Sequence, residues 1–209
     1  LQMMRAKHVP AHKLVLFPNG VSFPEALPPK RLFRQRHGIP DAVFIVLYSG
    51  NLGIKQGLGG LIDAARLMWQ RGSGDGPRIQ FVIAGSGASR GKVAAQIEQE
   101  KLGNILLLPL QPEQEYWEMM TDADCCAITQ QAGTGALFFP SKLLTTLAFA
   151  KPVLSVADED SDLAKATAKA IDEVTKGIDG FAFNKAIAGL YGFTNTIAKA
   201  NASTPTMKH

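Results

Sequence analysis

FFPSKLLTTLAFAKPVLSVA, residues 138–157, is the stretch whose reading decides the fold. It divides into a loop, a short helix from Ser141 to about Ala150, a Lys151-Pro152 break and a strand from Val153 to Ala157. Pro140 sets the turn, and Ser141 is a good N-cap, since its hydroxyl can accept from orphan amides of the first turn. Leu143, Leu144, Leu147 and Ala148 predict one apolar helix face. The strand is short, apolar and β-branched, as expected where a parallel sheet is covered on both sides. A helix start beside a Ser141-Lys142 pair at the end of such a sheet suits a phosphate. Backbone amides, helix dipole and lysine charge all favour an anion there.

Upstream, the pattern of strand, Gly-rich turn and helix repeats from Val43. Val43 to Tyr48 reads as a buried strand, followed by Ser49-Gly50-Asn51-Leu52-Gly53 as a loop. A helix from about Gln56 to Gln70 carries Leu58, Leu61, Ile62, Ala65, Met68 and Trp69 on its inner side. Arg78 to Ala84 is the second strand, then a Gly85-Ser86-Gly87 turn and a helix to about Leu102. Asn104 to Leu110 is the third strand, Pro112 to about Ala123 a helix, and Cys125 to Thr129 the fourth strand. Strands alternating with helices predict an α/β, Rossmann-like, doubly wound parallel sheet. Ligands on such sheets bind beyond the carboxyl ends of the strands. The loops there are Gly50–Gly53, Gly85–Gly87, Leu110–Gln111, Gln130–Gly135 and Pro140–Lys142, and glycine lets amides approach an anion closely.

These motifs, YSGNLG followed by KQGL, then AGSG, then PSKLL with A-x-A-KPV, resemble the donor-binding half of GT-B-fold glycosyltransferases of the exopolysaccharide type. The resemblance spans residues 14–162, and PNGV (18–21) resembles the interdomain linker that opens that half. It implies a nucleotide-sugar donor, UDP- or GDP-linked, with no separate cofactor and no metal. Gly50, Asn51 and Gly53 would line the diphosphate, and Lys55 or Gln56 would stand where relatives place a phosphate-binding base. The Gly85–Gly87 turn would shape the pocket, Leu110 and Gln111 would abut the nucleobase, and Ser141 and Lys142 would hold phosphate. The ribose-holding Glu of the family falls on Thr145, and an earlier family carboxylate falls near Leu137. Both carboxylates are missing, so no residue is assigned a catalytic role.

A dinucleotide site is the rival for the second loop. Gly85-x-Gly87-x-x-x-Gly91 places its third glycine one residue late, and NILLLPL (104–110) ends without an acidic residue for a ribose. Glu113 and Glu115 read as helix-start charges rather than catalytic acids. His8 and His12 are four apart, but Pro10 between them disfavours a helical metal pair.

The chain has 209 residues, 46% hydrophobic and 19% charged, which describes a folded globular protein with one large or two small domains. A net charge of +4 and a pI near 9.1 suit an anionic ligand without arguing for nucleic acid. Cys125 and Cys126 are adjacent in an apolar run and read as buried thiols. No apolar run is long enough for a spanning helix and no signal-peptide core is seen, so a cytoplasmic protein is expected, peripheral at most to the inner face of a membrane.

The tail breaks the pattern. Residues 163–180 and 181–201 read as two helices, the second with Phe183, Ile187, Leu190, Thr194 and Ile197 on one stripe. Ala166 to Lys199, with FNKAIA at its centre, is similar to the start of the anticodon-binding helices of leucyl-tRNA synthetases. That resemblance implies tRNA as a partner only if the tail is functional, and a chain joining two enzymes suggests a chimera. The expected organisation is a linker and first strand (1–42), including a strand from Leu14 to Phe17 and a basic helix from Pro29 to His37. A nucleotide-sugar-binding domain (43–160) and a helical tail (161–209) follow. The favoured function is the donor-binding portion of a glycosyltransferase, inactive alone, whose acceptor is lipid-linked or a glycan at the membrane surface. The alternatives are a fragment of a leucyl-tRNA synthetase module and a non-catalytic nucleotide-binding domain.

Overall fold

Five strands, β1 (Phe44–Asn51), β2 (Ile79–Ser86), β3 (Ile105–Leu108), β4 (Cys125–Thr129) and β5 (Val153–Val156), pair in the order β3-β2-β1-β4-β5. Every pairing is parallel. Helices α1 (Leu32–His37), α2 (Leu58–Arg71), α3 (Arg90–Gln99), α4 (Glu113–Asp122) and α5 (Lys142–Ala148) alternate with them. The computed structural model describes residues 8–14, 22–72, 76, 78–133 and 141–157. The chain divides into two compact units, and the sheet lies in Val21–Gln131 with Lys142–Val156. The other unit comprises Leu1–Gly20, Ala132–Ser141 and Ala157–His209; there a short 3-10 turn, Ala11–Lys13, follows Pro10. The strand expected to start at Leu14, the PNGV turn, Leu137 and the two tail helices lie outside the described residues.

Strand alternation sets the layers. Ile45, Leu47, Val82 and Ala84 point to one face and pack with Phe33 of α1 and Met119 and Met120 of α4. Val46, Tyr48, Phe81 and Ile83 point to the other and pack with Leu58, Leu61, Ile62 and Ala65 of α2 and Val93 of α3. Both faces are therefore covered, as an all-parallel sheet requires. The two cysteines are free and buried, one on each face.

Several elements depart from expectation for local reasons. β1 and β2 run on to Asn51 and Ser86, so Gly50, Asn51 and Gly85 sit in strand rather than loop. Their ladder continues through Gly50↔Gly85 and Asn51↔Ser86. A Cβ at Gly85 would lie 1.8 Å from the Gly50 carbonyl oxygen, so only glycine lets the ladder close there. β3 stops at Leu108, before Pro109, because proline has no N–H to give a ladder. On α2 the buried residues are Leu58, Leu61, Ile62 and Ala65, while Trp69 is half exposed at the flank and covers the Gly103 backbone. On α5 the buried positions are Leu143 and Thr146, with Phe149 just past its end. The expected Leu144, Leu147 and Ala148 are not fully buried, because the short helix turns its i, i+3 row inward.

Below the amino ends of the strands, the last turn of α4 gathers charge. Arg31, with φ +79°, begins α1, and the Asp122 carboxylate accepts from the N–H groups of Arg31 (2.6 Å) and Arg34 (3.1 Å). This is an N-cap supplied from another helix. The buried Arg34 guanidinium donates to the carbonyls of Pro40, Val43 and Asp122 and to Asp124 Oδ2 at 2.7 Å. On the other side Lys151 Nζ donates to the Thr121 (2.7 Å) and Ala123 (2.8 Å) carbonyls, satisfying the helix end.

Candidate functional site

The strand order reverses between β1 and β4, and such a reversal opens a crevice at the carboxyl ends of the strands. Here the crevice has a measurable origin. β1 stays paired with β2 along its whole length, but its register with β4 covers only Val46↔Cys125 and Leu47↔Cys126. Beyond that point β4 pairs with β5 alone, as far as Thr129↔Val156.

Lys142, the first residue of α5, reaches into this gap. Its Nζ lies 3.8 Å from the centroid of the Tyr48 ring, and a Cβ placed on Gly50 would sit 3.5 Å from the same nitrogen. The ammonium is shielded from solvent and has no hydrogen-bond partner among the described residues. Burial pushes its pKa down to about 8. A buried, unpaired cation is costly, and an anion in the crevice would offset that cost.

The opposite wall is rigid. Tyr48 is fully buried, and its hydroxyl donates to the Asn51 carbonyl at 2.8 Å, with Gln56 Oε1 3.4 Å away. Desolvation raises the phenol's pKa, so it stays a neutral donor. Leu52 N–H donates to the Ser86 carbonyl and Ser89 N–H to the Leu52 carbonyl, each at 2.8 Å, which joins the loop after β1 to the turn after β2. Gly87 lies against the Asn51 side chain in that turn. A 3-10 turn, Ile54–Gln56, then leads to Gly57 at φ +61°. A Cβ on Gly57 would meet the Gln130 carbonyl oxygen at 2.5 Å. This close approach lets the Gln131 N–H reach the Lys55 carbonyl (3.0 Å) and the Thr129 hydroxyl reach the Gln56 carbonyl.

Of the residues singled out by sequence, Gly50, Asn51, Gly53, Gly85, Gly87 and Lys142 come together at this crevice. Lys55 is exposed on the 3-10 turn beside them. Leu110 and Gln111 stand apart, beyond β3 and two strands from β1; Leu110 is 65% exposed, and Gln111 Nε2 donates to the Pro109 carbonyl. Ser141 immediately precedes α5 and is exposed. Thr145 lies one turn along α5, where its hydroxyl pairs with the Tyr116 phenol of α4. Because α5 is only seven residues long, the lysine rather than the helix dipole supplies the charge. Sequence reading missed Tyr48, and it placed Gln130 only at the start of a loop where the structure has it buried. The available signal for Tyr48 was an aromatic residue directly before Ser-Gly at the end of an apolar strand.

Comparison with known proteins agrees with this architecture. The family model of the glycosyl transferases group 1 matches residues 29–161. Over 163 residues the chain is 30% identical to WcaI of Escherichia coli (strain K12), named for colanic acid biosynthesis as a glycosyl transferase; this covers 76% of the chain and 39% of that protein. The chain thus spans about two fifths of the length of that relative. The crystal structure of WaaG, a glycosyltransferase involved in lipopolysaccharide biosynthesis, superposes with a TM-score of 0.56 at 19% identity, over 77% of this chain and 43% of that one. At that identity the likeness shows the fold. A separate, local similarity links 50 residues, 24% of the chain, to 6% of the leucine–tRNA ligase of Cereibacter sphaeroides (strain ATCC 17029) at 60% identity. Since a parallel sheet with a crevice at its reversal and a family match covering well over half the sequence coincide in the same residues, this chain belongs to the glycosyl transferases group 1 family.

Proposed function

We propose that this chain is the nucleotide-sugar-binding portion of a glycosyltransferase of exopolysaccharide or cell-surface glycan synthesis, with a UDP- or GDP-linked donor. The observation that carries the reading is the unpartnered, buried ammonium of Lys142 in the crevice between β1 and β4. A diphosphate across Gly50–Gly53 would meet that ammonium and the strand-end backbone, with Lys55 at the open rim. Leu110 and Gln111 would meet the nucleobase, and Ser141 would add a hydroxyl to the phosphate. In sugar transfer the nucleoside diphosphate leaves with developing negative charge, and a pre-positioned cation stabilises that charge.

Binding without turnover is expected of this chain by itself. Thr145 stands where the family resemblance places the ribose-holding carboxylate, and its hydroxyl is engaged with Tyr116. A lipid-linked or glycan acceptor fits a cytoplasmic enzyme peripheral to a membrane, and no helix among the described residues is long and apolar enough to cross one. Calorimetric titration of UDP and GDP into the full chain and into Lys142→Ala tests the reading. Losing one charge-assisted contact should weaken binding by ~1–2 kcal/mol. Equal affinity in the variant would move the anion elsewhere.

A second reading rests on the 60% identity over 50 residues to leucine–tRNA ligase. We assign that similarity to the tail, Ala166 to Lys199, and infer that the chain joins pieces of two enzymes, with tRNA a partner only if the tail folds as it does in its source. Resequencing the gene across codons 157–166 and a tRNA titration test it. A continuous reading frame together with tRNA binding would make the tail functional, and a frame break would make it an artefact.

A further inference from the structure

We propose that Tyr48 is a positioning residue for anion binding: its ring holds the Lys142 ammonium in the crevice while its hydroxyl fixes the facing wall. The proposal rests on the reading of Lys142 as the anion-holding group, and it adds the element that aims it. Three observations meet on this one side chain. Lys142 Nζ lies 3.8 Å above the ring centroid and has no hydrogen-bond partner among the described residues, so the π face is what its charge meets there. The phenol hydroxyl donates to the Asn51 carbonyl and lies 3.4 Å from Gln56 Oε1, on the segment that faces Lys142 across the crevice. The ring itself is fully buried between α2 and the sheet, so it cannot follow the lysine if the lysine moves.

A cation above an aromatic face is attracted without having its hydrogen-bond donors consumed. All three N–H donors of the ammonium thus stay available to phosphate oxygens while the amine is held in place. A carboxylate partner would fix the lysine more tightly but would compete with the incoming anion. Burial lowers the lysine's pKa to about 8, and among the described residues no charged group offsets it. The ring counters that burial by favouring the protonated form. Removing the π face without changing its volume should therefore push the amine further down and cost anion affinity near neutral pH.

The test uses the full chain with Tyr48→Phe, and with position 48 filled by 3,4,5-trifluorophenylalanine, which keeps the ring volume but cancels its negative face. The pH dependence of Lys142 acetylation by acetic anhydride, read by peptide mass spectrometry without nucleotide, gives the titration midpoint of the amine. Calorimetry gives UDP and GDP affinity. Tyr48→Phe should leave the midpoint near 8 and weaken nucleotide about two- to five-fold, through the freed Asn51–Gln56 segment. The fluorinated ring should lower the midpoint by about one unit and weaken nucleotide at pH 7.5 beyond the Phe variant. A midpoint that is the same for phenylalanine and its fluorinated form overturns the proposal, as does a fall of equal size in Tyr48→Phe. A purely structural role for Tyr48 would move thermal stability and leave the midpoint fixed. If the midpoints shift as expected but no nucleotide binds the wild-type chain, the donor reading fails while the Tyr48–Lys142 pairing stands.

Discussion

Anion affinity at this crevice should depend on pH with a sign and size that follow from Lys142. The free protein holds this amine at a pKa of about 8. A bound diphosphate stabilises the protonated form, so the complex retains a proton that the free protein loses as pH rises. If only the ammonium binds, its population falls from about 0.9 at pH 7 to about 0.1 at pH 9, and affinity drops about tenfold, or ~1.4 kcal/mol. The terminal phosphate of UDP has a second pKa near ~6, so it stays ionised over this range and adds no slope. Isothermal titration at pH 7, 8 and 9 and constant ionic strength, in two buffers of different ionisation enthalpy, measures both affinity and proton uptake. Lys142→Arg provides the control, since a guanidinium stays charged throughout and should flatten the profile. A wild-type affinity that changes less than about twofold between pH 7 and 9, or an arginine variant that falls in parallel, would refute the assignment of the anion to this amine.

The same lysine should limit stability. Its displacement from the ordinary 10.5 to about 8 means that folding buries a charge at pH 7, so Lys142→Met should gain ~3 kcal/mol in urea denaturation. The gain should shrink between pH 8 and 10.5, where the folded wild type carries the amine neutral but the unfolded chain still binds the proton. Arg34→Met leaves Asp124 and three carbonyls without their buried donor and should cost ~3–4 kcal/mol by the same measurement; a loss under about 1 kcal/mol would deny the network its structural role. Gly57→Ala puts a methyl at φ +61° against the Gln130 backbone and should destabilise by ~2 kcal/mol or more while weakening UDP, whereas an unaltered melting curve would mean the turn has room to shift.

Sequence made the fold legible wherever local chemistry and tertiary demand agree. β4 is read to the residue because Cys125–Thr129 is apolar, flanked by polar groups and covered on both faces. Strand ends were misjudged at Gly50 and Gly85, since glycine reads as a loop by propensity while the ladder needs it for clearance. Periodicity places Trp69 inward, yet it sits half exposed on the flank of α2 against the Gly103 backbone. For the site, the Gly-rich strand ends and the Ser-Lys pair carried most of the signal. Tyr48 did not, because its role depends on a lysine 94 positions away that no local pattern links to it. The dual use of α4 as cap for α1 and anchor for Lys151 is likewise invisible in one dimension, since aspartates at a helix end read as solvated charges.

The cap that Asp122 supplies to α1 has a consequence during synthesis. A six-residue helix is too short to persist alone, and the carboxylate that satisfies its first amides lies 88 to 91 residues further along the chain. At ~5–20 residues per second, the segment around Arg34 waits about 5–20 s on the ribosome before its partners exist. For that interval the guanidinium has neither Asp122 nor Asp124 and must stay in water, which keeps Phe33 out of the core as well. α1 is therefore expected to dock only after β2, β3 and their helices have assembled on β1. A chain arrested before residue 122 should present this basic segment to proteases, and one released just beyond residue 124 should begin to protect it.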